Sequence, residues 1–179
     1  MSLFTLIRYF ISFVQLAFSW DGTRLATASE DGARPWDTST GKELLLLDED
    51  GPVYGLAFSP DGKRLATTSQ ESGRAAVWDS TTGKQLLSLF GHPRAIYSIT
   101  FTPDGPRLAT AGGDGTVKIW DTVSGKEFVT LYGHTARIFN VVISPDGTRL
   151  ATASQYGTTR VYLLKLDDLV KLAQSRLTR

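Results

Sequence analysis

Residues 59–69 read SPDGKRLATTS, and the chain carries that phrase four times. The other copies are SWDGTRLATAS at 19–29, TPDGPRLATAG at 102–112 and SPDGTRLATAS at 144–154. Their Asp-Gly pairs begin at 21, 61, 104 and 146, giving spacings of 40, 43 and 42 residues. A second marker trails each copy, Trp36-Asp37, Trp78-Asp79, Trp120-Asp121 and Tyr162-Leu163, 42 residues apart each time. Self-similarity at such a period marks a supersecondary unit that buries its apolar faces by stacking on its neighbours.

One period, residues 84–121, reads as four short strands. KQLLSLF is an apolar run fit for an outer strand, and AIYSITF alternates, with Ile96, Ile99 and Phe101 apolar. Thr102-Pro103-Asp104-Gly105 is a turn, because Pro103 presets φ and Gly105 accepts positive φ. RLATAG is the hairpin partner, and Asp114-Gly115 makes a second tight turn into the β-branched stretch TVKIWD. Helical spacing is absent until the C-terminus. The unit is an antiparallel meander of four strands, and the fold class is all-β.

Composition narrows the function. With 179 residues, 19 Lys+Arg and 18 Asp+Glu, the net charge is +1, which gives no reason to expect nucleic acid or an anionic membrane as the main partner. The absence of Cys excludes disulfides, thiolate catalysis and Cys-based zinc sites, and it suits a reducing, cytoplasmic setting. With two His, a His-rich metal centre is almost excluded. The N-terminal MSLFTLIRYFISFV is apolar, but Arg8 interrupts it and no charged start precedes it. It reads as neither a secretory signal nor a spanning helix. No glycine-rich phosphate loop of standard spacing is present. Asp48-Glu49-Asp50 lacks the alternating spacing of a calcium loop and reads as a solvated turn. No cofactor and no metal are expected.

The motifs Gly91-His92, Asp114-Gly115 and Trp120-Asp121, with Gly133-His134 and Asp146-Gly147, stand in an order and at a spacing that resemble the WD-repeat (Trp-Asp) β-propeller family. The resemblance covers residues 3 to about 163 and is to bacterial-type members with four repeats. It implies a propeller of four-stranded antiparallel blades. Each sequence repeat then carries the outer strand of one blade and the inner strands of the next. It also implies a buried polar network in the third blade made of His92, Thr110, Asp114 and Trp120. A hydroxyl, an imidazole and a carboxylate suggest a nucleophilic triad, but this Thr is expected to face packed strands rather than a cavity, so the chain is read as no enzyme.

The other copies depart from that pattern. The fourth keeps His134 and Thr152 but has Tyr156 for the Asp and Tyr162 for the Trp. The second keeps Thr67 and Trp78, lacks the Gly-His and carries one extra residue around Glu71-Ser72. The first has Thr27, Asp31 and Trp36, with Tyr9 in place of the His and Pro35 in its third strand. Proline cannot donate to a ladder, so the first blade is expected to be the most distorted.

The termini complete the organisation. Residues 3–18 align with 86–101, so residues 3–7 are expected to form an outer strand able to pair with the last blade. The propeller then occupies 1–164. In 165–179, apolar residues at 166, 169, 170, 173 and 177 predict a short amphipathic helix at about 167–177. Three outcomes are open: a tight four-blade ring, an open arc, or two chains joined as a homodimer that completes a ring.

The resemblance places partner contacts on the face where outer strands lead into inner ones. Three and five positions beyond His92 stand Ala95 and Tyr97, and beyond His134 stand Arg137 and Phe139. The second blade offers Tyr54 and the first Val14. Aromatic and Arg side chains at a rim are favoured interface anchors, although they also suit the lining of a central channel. The expected function is a non-catalytic protein–protein interaction scaffold. The alternative is a structural fragment of a larger propeller, such as the C-terminal sensor part of a multidomain kinase or nucleotide-switch protein.

Overall fold

The computed structural model describes residues 13–49, 51–69 and 72–164. Within them the chain forms strands only, arranged as four antiparallel sheets. The first holds β1 (Phe13–Phe18), β2 (Arg24–Ser29) and β3 (Gly32–Asp37). The second holds β4 (Val53–Phe58), β5 (Arg64–Ser69), β6 (Arg74–Asp79) and β7 (Gln85–Phe90). The third holds β8 (Ile96–Phe101), β9 (Arg107–Gly112), β10 (Val117–Asp121) and β11 (Glu127–Leu131). The fourth holds β12 (Ile138–Ile143), β13 (Arg149–Ser154) and β14 (Thr159–Leu163). Strands follow one another as meanders, as the two turns in each repeat dictate.

The recurrent phrase is a turn with its own hydrogen bonds. Ser59 Oγ donates to Asp61 at 2.6 Å and accepts the Arg64 N–H at 2.9 Å. Gly62 takes φ +68°, where a Cβ would be strained. Ser19 with Asp21 and Ser144 with Asp146 repeat the device at 2.6 and 2.5 Å.

The sheets pack face to face, with β1 against β4, β4 against β8 and β8 against β12. Large residues of each sheet fill the space over the alanines of the sheet before it. Leu56 and Phe58 cluster with Ala26, Ala28 and Ala33; Ile99 and Phe101 with Ala66; and Val141 with Ala109 and Ala111. Burying one such side chain contributes about 2 kcal/mol. At the ends this packing stops. Leu16 and Phe18 are 60% and 64% exposed, whereas their equivalents Leu56 and Phe58 are 2% and 4% exposed. On the opposite end Val142 and Ala153 are exposed. Among the described residues β1 and β12 do not pack closely against each other, so these sheets form an open arc rather than a tight ring.

A guanidinium ties each of the first two joints. Arg24 of the first sheet donates to the Gly62 carbonyl at 2.5 Å and to Ser80 Oγ at 2.8 Å in the second, with its cation 5.4 Å from the Phe58 ring centre. Arg64 repeats this on the third sheet, reaching the Gly105 carbonyl at 3.0 Å, the Thr122 carbonyl at 3.2 Å and the Phe101 ring at 5.4 Å. Arg107 breaks the series. Ile143 and Leu164 stand where Phe101 and Thr122 stood, and Arg107 lies instead over Phe128 of its own sheet at 3.7 Å. Its buried Nη1 has no hydrogen-bond partner.

One expectation is corrected, that of four strands in every blade. Blades of four strands are found in the second and third sheets, but the first and fourth have three strands among the described residues. In the first sheet the outer segment makes only isolated bridges, Ala33 with Leu47 and Trp36 with Glu43. Pro35 is the reason: its carbonyl accepts the Leu44 N–H at 2.9 Å, but it has no N–H to return. The proposed strand at 3–7 and the helix at 167–177 lie outside the described residues.

Two tests follow from these joints. Arg64→Ala is expected to cost about 2 kcal/mol in urea unfolding, and Arg107→Ala distinctly less, because only Arg64 donates across a joint. In hydrogen exchange, amides of 43–47 are expected to exchange faster than those of 127–131; equal protection would show that the missing Pro35 donor does not matter.

Candidate protein-interaction face

Each innermost strand carries a β-bulge near its start. The register skips between Phe13 and Gln15, Val53 and Gly55, Ile96 and Ser98, and Ile138 and Asn140. The skipped residues are Val14, Tyr54, Tyr97 and Phe139. A bulge leaves its residue out of the ladder and re-aims the side chain. Three of them meet as a row of rings: Tyr54 and Tyr97 at 6.4 Å between centres, Tyr97 and Phe139 at 5.2 Å, both edge-to-face. The row borders a concave groove of about 460 Å³ shared with Gln15, Ser98 and Asn140. Ala95 and Arg137 do not join the rings. The Ala95 carbonyl accepts the Gly113 N–H and the Arg137 carbonyl the Gln155 N–H. The exposed Arg137 side chain borders a second, more polar groove with Arg94, Asp114 and Tyr156.

Beneath this face each sheet buries a polar network around one strand threonine. In the third sheet, the Trp120 indole N–H donates to Thr110 Oγ1 at 2.8 Å, which lies 2.8 Å from His92 Nε2, while His92 Nδ1 lies 2.9 Å from Asp114. One proton per link satisfies the chain when Thr110 donates to Nε2 and Nδ1–H donates to Asp114. Burial alone would raise the Asp114 carboxyl. Hydrogen bonds from His92 and Thr116 outweigh it and hold the group at about 2. Gly91 is required before the histidine, since a Cβ there would stand 2.9 Å from the Trp120 ring.

The second sheet builds a similar network with a carboxylate next to the threonine and a cation beyond it. Trp78 donates to Thr67 at 2.8 Å, the Thr67 hydroxyl donates to Glu49, and Arg74 pairs with Glu49 at 2.5 Å. Glu49 is buried, so the reading of Asp48-Glu49-Asp50 as a solvated turn is wrong at that residue. The missed signal was a spacing: Glu49 precedes Thr67 by 18 residues, as His92 precedes Thr110 and His134 precedes Thr152. In the first sheet Trp36 donates to Thr27 at 3.0 Å. There a buried Arg34, also missed, pairs with Asp31 at 2.5 Å and faces Glu43 at 3.5 Å. In the fourth, His134 contacts Thr152 at 2.7 Å and Thr158 at 3.1 Å, and the Tyr162 hydroxyl donates to the Tyr132 carbonyl. Burial and the nearby Arg160 lower the His134 pKa, since no carboxylate faces it there. The four strand hydroxyls, those of Thr27, Thr67, Thr110 and Thr152, are buried between strands. Among the described residues no three His, Asp or Glu side chains come together to hold a metal ion.

The model of the WD domain, G-beta repeat (WD40) matches residues 41–79, 83–121 and 125–162, which is more than half of the chain. The chain belongs to the WD40 repeat family. The first copy of the phrase, at 19–29, lies outside the matched residues. No curated protein matches the sequence significantly. Among solved structures, one described as "Structure of U3-55K" is similar in fold, with a TM-score of 0.81 and 23% identity over 89% of this WD40 chain. The match covers 51% of the other chain, so this one spans about half its length.

Asp114 supplies a pH test. Because its folded pKa is depressed, its contribution is complete above the ordinary value of 3.8 and is lost as pH falls through about 2. Asp114→Asn is expected to cost about 1–3 kcal/mol at neutral pH. The gap to wild type should close on the acid side, read from urea midpoints against pH.

Proposed function

We propose that this WD40 chain is a non-catalytic protein-interaction scaffold that takes its partner on the face bearing Tyr54, Tyr97 and Phe139, flanked by Val14, Ala95 and Arg137. The observation that carries this reading is the bulge at each innermost strand. Four times the backbone gives up a ladder position, and three of the residues released are aromatic. Such rings bury a large area at small entropic cost, and a rigid sheet holds them in place. His92, Thr110, Asp114 and Trp120, with Thr67, Trp78, His134 and Thr152, serve the scaffold by satisfying its buried polar groups. No helix among the described residues is long and apolar enough to cross a membrane. A cysteine-free surface suits the cytoplasm, where the partner would be another protein rather than nucleic acid.

A second reading, a segment of a larger propeller, is favoured by the exposed end faces and by the half-length match. Completion of the arc by a second copy of the chain satisfies the same observations within the scaffold reading.

The double variant Tyr97→Ala/Phe139→Ala tests the face. It is expected to keep its thermal unfolding midpoint and to lose partner affinity about tenfold or more in pull-down and titration. Unchanged capture by a folded variant would remove this face from consideration.

A further inference from the structure

The three internal joints are built from the same positions, and the two ends of the arc present those positions unpaired. At one end, Leu16 and Phe18 hold the places of Leu56 and Phe58, yet are 60% and 64% exposed. Beside them stand the Gly22 carbonyl and Thr38, the counterparts of Gly62 and Ser80 that Arg24 grips. At the other end, Ala151 and Ala153 hold the places of Ala26 and Ala28, which receive Leu56 and Phe58. They line a shallow apolar groove with Val142. Arg149 holds the place of Arg24 and Arg64, is exposed, and its guanidinium has no hydrogen bond among the described residues. Asn140 stands where Gln15 and Ser98 accept the backbone N–H of Leu56 and Val141 in the next sheet.

We propose that a second copy of this chain supplies the missing half of each end joint, with Arg149 of one copy gripping Gly22 and Thr38 of the other over its Phe18 ring. This rests on the scaffold reading and names the partner of the arc's ends. Knobs and holes, cation and acceptors, and the inner-strand amide acceptor all match in the direction already used at the internal joints. Two copies form two such joints and close on themselves, which leaves no free end face. The half-length match to a longer chain of the same fold agrees, because a second copy supplies a comparable length.

Light scattering on the full chain reads the outcome. A closed pair has twice the 19.6 kDa mass of one chain. A single-chain mass at every concentration, or an open ladder of larger species, overturns the proposal. Arg149→Glu is expected to weaken pairing at least about tenfold with its circular dichroism unchanged. A pair that keeps its affinity with that variant overturns the grip. The chain has no cysteine, so Thr38→Cys/Arg149→Cys treated with a short bismaleimide should give covalent dimers. Arg24→Cys/Ser80→Cys, linked within one chain, calibrates the reach. Linkage in the second variant without dimers in the first also overturns it. Tyr97→Ala/Phe139→Ala keeps the paired mass, so loss of pairing and loss of the partner face are read separately.

Discussion

A threonine hydroxyl buried in the middle of each sheet is the constraint around which the rest is arranged. In three sheets it accepts an indole N–H, from Trp36, Trp78 and Trp120, at 2.8–3.0 Å. An oxygen placed there must also find a use for its own proton, because an unsatisfied group at that depth costs about 1–3 kcal/mol. The third sheet answers with His92 and Asp114, and the second with Glu49 and Arg74, a carboxylate next to the threonine and a cation beyond it. What is held constant is the hydrogen-bond path that locks turn, loop and strand together. The residue types along it are free to change as long as the buried charges remain paired.

The joints between sheets obey a second economy. Alanines on one face leave room for a leucine or isoleucine and a phenylalanine from the next, and an arginine in the turn seals the outer side against backbone carbonyls. The pattern is directional, so an arc of such sheets has two unlike ends that complement each other. The third joint shows how far the pattern can decay. With Ile143 and Leu164 in place of a phenylalanine and a threonine, Arg107 folds back on Phe128 and leaves one buried nitrogen unbonded.

The face that carries the aromatic row owes its shape to the same strands. In three sheets a bulge frees an aromatic side chain without loosening the ladder beyond it. In the proposed scaffold recognition is thereby separated from stability: the rings border an open groove, while the buried networks lie beneath. Asp114, which borders the polar groove and ends the His92 network, is where the two layers touch.

The repeated phrase and its 42-residue companion determined the turns, the antiparallel meander and the all-β class, because Asp-Gly turns and alternating β-branched residues act locally. The third sheet's network was legible only through the resemblance to the WD-repeat family, which its Gly91-His92, Asp114-Gly115 and Trp120-Asp121 motifs carry. Glu49 and Arg34 were not. An acidic run and an arginine look solvated in sequence, and only the neighbouring strands show that Thr67, Arg74 and Asp31 are waiting for them. The loss of the outer strand of the first sheet was half visible in Pro35. Whether the arc closes was decided by tertiary structure alone, since curvature is the sum of small rotations at joints and no single residue encodes it.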